Sequence, residues 1–100
     1  MNNTYILQSS TNKDKKWMIT LPSGKTVHFG ARGYSDYTIH KDPERKKRYI
    51  NRHKSRENWT KSGLNTAGFW SRWILWNLPG LRDSINDTKE RFNINIVKKR

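Results

Sequence analysis

Apolar positions alternate with polar ones through the first third of the chain and change to a helical spacing in the rest. Tyr5-Ile6-Leu7-Gln8 is a short strand candidate. Trp17, Ile19 and Leu21 share one face of a second strand by period two, and Val27 and Phe29 share one face of a third. Pro22-Ser23-Gly24-Lys25 joins the last two as a turn, because proline presets φ and glycine tolerates φ > 0. The pattern predicts a three-stranded antiparallel meander over about residues 4–30. A meander this small needs a helix against one face to be stable in water. Gly30 to Tyr37 reads as a loop. Its two glycines lack the spacing and the Lys-Ser/Thr of a phosphate-binding loop.

Helical spacing takes over from Asp42. Asp42 can cap a helix, Pro43 fits its first position and Glu44 suits its positive end. This helix is expected from Pro43 to about Asn58, with Tyr49, Ile50 and His53 on its apolar face, Lys46 and Glu57 extending the stripe, and Trp59 docking beyond its end. Lys61 to Asn65 is a polar linker. Thr66 can cap a second helix, AGFWSRWILWN, from Ala67 to about Asn77. It is apolar on most sides, as buried helices are. Leu81, Ile85, Thr88 and Phe92 mark a third. Asn93 to Arg100 alternates weakly and fits either an edge strand or a frayed basic tail. The expected fold is α+β: a three-stranded antiparallel meander, then about three helices over residues 42–92, with the Trp-rich helix filling the core of a single domain spanning 1–100.

Composition narrows the function classes. One hundred residues allow one domain. Zero cysteines exclude a disulfide-stapled scaffold. No apolar run approaches the ~20 residues of a membrane-spanning helix, and the N-terminus lacks the pattern of a secretory signal. The N-x-[ST] sequons at Asn2, Asn58 and Asn86 are therefore read as chance. The charge of +13, from 21 Lys plus Arg against 8 Asp plus Glu, is the dominant feature. It concentrates between Lys41 and Arg56, where eight cations meet two anions. On a helix Arg45, Arg48 and Arg52 form a strip at i, i+3, i+7, flanked by Lys47, Lys54 and Arg56. Carboxylate partners at i,i+4 are nearly absent, so these like charges repel without an anionic ligand. Guanidinium forks suit phosphates. Lys41, Arg45, Lys46, Arg48, Arg52 and Arg56, with Lys98, Lys99 and Arg100 as a mobile tail, are the expected nucleic-acid contacts. Asn51 in the same helix is weak grounds for base readout.

Other chemistry is thinner. The Trp cluster admits core packing, a base-stacking platform or an interfacial membrane segment. His28, His40 and His53 are too scattered for a zinc site, with His53 read as packed and His28 as facing away from Val27 and Phe29. Asp36, His40, Asp42 and Glu44 cluster near the basic run and could hold Mg²⁺ in a small nuclease, although Asp42 and Glu44 have capping roles. No cofactor, metal or catalytic residue is assigned.

The stretches HFGARGYSDYTIHKDPERKKRYINRHKSRENW and AGFWSRWILWNLPGLRDSI resemble a small uncharacterised family encoded by large double-stranded DNA viruses of eukaryotes. The likeness runs from about Trp17 to Phe92. It departs at Gly80, where members commonly carry a polar cap before the third helix. Among the recurring residues, Tyr49, His53 and Trp59 read as packing, Arg45 and Arg52 as exposed, and Asp42 as a cap; Tyr37, His40 and Asn58 stay open between structure and function. The resemblance implies a viral, genome- or virion-associated protein and no established activity. The expected function is nucleic-acid binding through phosphate contacts, DNA with weak sequence specificity. The competing readings are a structural virion protein docking on acidic protein or membrane surfaces, and a small metal-dependent nuclease. The expected location is the virion or the host cytoplasm or nucleus, without secretion.

Overall fold

A computed structural model describes residues 3–99. Strands β1 (Thr4–Ser9), β2 (Lys15–Thr20) and β3 (Thr26–Ala31) form the expected antiparallel meander, in register Leu7↔Ile19 and Ile19↔Val27. A fourth strand, β4 (Asn95–Lys98), pairs in parallel with β1, Tyr5 against Ile96. The sheet is thus four-stranded and mixed, in the order β3-β2-β1-β4, and not a three-stranded meander. Of the two readings of the C-terminus, the edge strand is correct. Ile96 within it and Ile94 just before it are buried, and the Lys99 N–H donates to the Leu7 carbonyl at 2.8 Å. A basic tail over 93–100 is therefore not what Lys98 and Lys99 form, and Arg100 lies outside the described residues.

Among the described residues four α-helices follow the meander, with a 3-10 turn at Lys61–Gly63 and a π-helical turn at Ser71–Leu75. The first, α1 (Tyr37–His40), starts at the last residue of the stretch read as a loop and covers residues to which the sequence assigned no element, and Asp36 caps it. The second, α2 (Pro43–His53), starts as expected, with the Asp42 carboxylate accepting the Glu44 N–H. It ends five residues short of Asn58. Residues 54–56 form a turn, with the Arg56 N–H on the His53 carbonyl, and the Asn58 side chain accepts the Thr60 N–H further on. Thr66 caps α3 (Ala67–Trp70), which continues as a π-helical turn, Ser71–Leu75, closed by the Trp76 N–H on the Ser71 carbonyl. α4 (Leu81–Phe92) begins directly after Gly80, which provides no side-chain cap.

The core lies between the sheet and the α3/α4 pair. Leu7, Ile19, Phe29, Phe69, Trp70 and Ile74 are fully enclosed. Gly30 makes this packing possible: its φ is +78°, and a Cβ there would stand 2.7 Å from Leu75 Cδ1. Trp70 and Trp73 donate their indole N–H groups to the carbonyls of Leu64 and Trp59. Trp70 and Trp73 are thus core residues with satisfied polar edges, while Trp17, Trp59 and Trp76 pack against the core half-buried and the Trp59 indole nitrogen is enclosed without a hydrogen-bond partner.

Candidate nucleic-acid interface

Helix α2 is attached along one face. Tyr49 lies flat on Trp76, with ring centroids 4.3 Å apart and planes 1° from parallel, and its ring is 4.4 Å from that of His53. Burial pushes the Tyr49 phenol well above its ordinary pKa. One turn earlier, Lys46 runs inward. Its ammonium donates to the Asn77 carbonyl at 2.6 Å and stands 5.1 Å from the centre of the Tyr37 ring. Burial, reinforced by the Arg72 charge, holds its pKa below the usual lysine range. Lys46 therefore serves the packed stripe and not the phosphate face. Lys41 is also committed: it has left-handed φ at the end of α1, and its ammonium donates to the carbonyls of Thr38 and Pro79.

The remaining cations point outward. Arg45, Lys47, Arg48, Arg52, Lys54 and Arg56 are all exposed. Arg56 sits in the turn after the helix and donates to the Arg52 carbonyl. Among the described residues the ion pairs are Lys16–Asp36, His53–Glu57 and Arg91–Asp87, and none involves a lysine or arginine of α2. Asn51 is exposed on the same helix. Other cations are spent internally. The Arg72 guanidinium lies 4.4 Å from the Trp73 ring centre and 5.5 Å from that of Trp59, and donates to the Trp76 carbonyl.

The arginine strip divides. Arg45 and Arg52 flank Tyr49 on the wall of a cleft of about 500 Å³ between α2, the end of β3 and the π-helical turn, whereas Arg48 is not part of that wall. Lys15 stands at the opposite wall and Tyr34 among the lining residues. Glu57 is also among the lining residues, its carboxylate lying over Gly68, where a Cβ would run into it. Lys98 and Lys99 belong to a second recess of about 470 Å³, with Arg82 and Lys89 of α4, which shares no residue with the first. The expected C-terminal contacts are thus a separate basic patch, and the Lys98 ammonium is 5.5 Å from the Trp17 ring centre.

The residues weighed for Mg²⁺ have other partners. Asp36 is buried, accepting from Lys16 at 2.6 Å and from Thr38. His40 Nδ1 accepts the Asp42 N–H. Among the described residues no group of three or more His, Asp or Glu is arranged to hold a metal ion, and no helix is long and apolar enough to cross a membrane. Sequence reasoning missed Tyr34, which lay in a stretch read only as a loop. The available signal was an aromatic directly after a glycine, beside the basic run.

A family model described as a family of unknown function (DUF5754) matches residues 5–53, from β1 to the last residue of α2. The match includes Arg45, Arg48 and Arg52 and ends before Arg56 and the Trp-rich helix. No curated protein and no solved structure matches the chain.

Proposed function

We propose that the protein binds nucleic acid through its phosphate backbone, with the exposed cations of α2 as the contact face and little base readout. The observation that carries this reading is a set of six exposed cations, Arg45, Lys47, Arg48, Arg52, Lys54 and Arg56, with no carboxylate partner among the described residues. Arg45, Lys47, Arg48 and Arg52 stand on a helix fastened to the core by the Tyr49–Trp76 stack, and Lys54 and Arg56 follow in the turn after it. Such an array is self-repelling alone and is relieved by a polyanion. The finer reading, a genome-associated protein of a large DNA virus, rests on the sequence resemblance. Charge neutralisation or packaging then needs affinity without sequence preference, which phosphate contacts supply.

The test is binding to a short random-sequence duplex at rising salt, with and without Mg²⁺. The expected result is tight binding at low salt, a steep loss at high salt, and intact DNA throughout. Absence of binding at low salt overturns the reading and favours an acidic protein or membrane surface as the partner. Mg²⁺-dependent cleavage favours the nuclease.

A further inference from the structure

We infer that the cleft between α2, the end of β3 and the π-helical turn holds one unstacked nucleotide, free or as part of a single strand. The base would lie against Tyr34 and the phosphates on Arg45 and Arg52. This inference rests on the reading of α2 as a phosphate-binding face and adds what that face recognises.

Four observations converge. The cleft's volume of about 500 Å³ is in the range of small-ligand sites. Its walls combine the two ingredients that a nucleotide needs. Arg45 and Arg52, two turns apart, have no ion-pair partner among the described residues and border a floor of Phe29, Leu75 and Trp76. Of the two carboxylates that line the cleft, Asp36 is already neutralised by Lys16, and Glu57 stands 4.0 Å from His53 Nδ1. Tyr34 is the third observation. It is 74% exposed, the one exposed aromatic among the described residues, in a chain that buries or half-buries its other rings. An exposed ring beside guanidinium groups offers a stacking face to any base. Finally, the cleft wall includes Ser71 and Leu75, the ends of the π-helical turn, a distortion that recurs at functional sites.

The geometry also gives a preference. A paired base cannot enter a recess without leaving its stack, which costs a few kcal/mol in a duplex and little in a single strand. Duplex binding on the outer cations, Arg48 among them, and base capture in the cleft are therefore separable.

The experiment is a titration of the full chain with adenosine 5′-monophosphate, followed by the fluorescence of the tryptophans and by amide chemical shifts. Ribose 5-phosphate serves as the baseless control, and a short single strand and a blunt duplex as the polymer arms. The expected result is that adenosine monophosphate shifts Tyr34 and Trp76 and binds more tightly than ribose 5-phosphate. Tyr34→Ala weakens the nucleotide and the single strand by at least about fivefold, whereas Tyr34→Phe retains both and duplex affinity is unchanged in either. Equal binding of the two phosphates, no binding of the nucleotide, or no effect of Tyr34→Ala overturns the inference. A single strand that outcompetes the free nucleotide identifies the strand as the ligand, and equal affinities identify the free nucleotide. Arg48→Glu separates the two levels: it weakens the duplex and spares adenosine monophosphate. Duplex binding without nucleotide binding removes the cleft site alone. Nucleotide binding without duplex binding removes the backbone reading alone.

Discussion

Lys46 and Arg48 are two positions apart on one helix and have opposite fates. Lys46 bridges to the Asn77 carbonyl beneath the Tyr37 ring, and Arg48 extends into solvent. A hydrogen bond from a charged donor contributes about 1.5–3 kcal/mol. Lys46→Ala is expected to lower stability by about 1–2 kcal/mol in urea denaturation, and Arg48→Ala to leave it within about 0.5 kcal/mol. His40 gives the residue scale its pH dependence. Its Nδ1 accepts the Asp42 N–H, and its Nε2 is buried without a hydrogen-bond partner. Burial lowers its pKa, Arg45 and Lys16 push the same way, and Asp42 and Asp36 oppose them. Just below the ordinary histidine pKa of about 6.5 the unfolded chain takes up a proton that the native chain refuses. Stability is therefore full above that pH and falls as the solution is acidified toward the native pKa. His40→Asn, whose amide oxygen can accept the same N–H, is expected to show a shallower fall in Tm between pH 7 and pH 5 than the parent. An equal fall in both would contradict this account of His40.

At the scale of elements, the strands of the meander and the starts of α2 and α3 were legible because their signals are local. Period-two alternation put Trp17, Ile19, Val27 and Phe29 on one face, and Asp42 and Thr66 make the capping bonds their side chains suggested. What the sequence hid is non-local. Strand β4 offers only Ile94 and Ile96 as a pattern, and its place is set by a parallel partner some 90 residues earlier. The end of α2 at His53 and the π-helical turn over Ser71–Leu75 carry no comparable local signal. The candidate site was legible in the same measure. The exposure of the arginines followed from charge alone, and Lys46 lies on the packed stripe as its spacing suggested, while the bonds of the Lys41 and Lys46 ammonium groups to the carbonyls of Pro79 and Asn77 come from beyond the helix and were not legible. An element-level prediction follows for β4. Ile96 is 4% exposed. Ile96→Ala is expected to cost about 2–4 kcal/mol, measured by urea denaturation. A cost near zero would return the C-terminus to the status of a tail.

At the scale of the molecule, the cations behind the charge of +13 fall into several groups. Part is internal: Lys16 neutralises Asp36, and Lys46 and Arg72 lie against aromatic rings. Part forms the recess of Arg82, Lys89, Lys98 and Lys99. A further part is the exposed row Arg45, Lys47, Arg48, Arg52, Lys54 and Arg56, which has no carboxylate partner among the described residues. Each cation that meets a phosphate releases counterions, so the number of contacts can be counted from a salt titration. The most direct measurement is therefore the log–log salt dependence of duplex binding for the parent and for Arg45→Glu/Arg48→Glu/Arg52→Glu. Six phosphate contacts predict a slope of about −5 for the parent, and removal of three predicts about −3 with a large loss of affinity at low salt. A variant that binds as tightly as the parent with the same slope would contradict the claim that this helix is the nucleic-acid face.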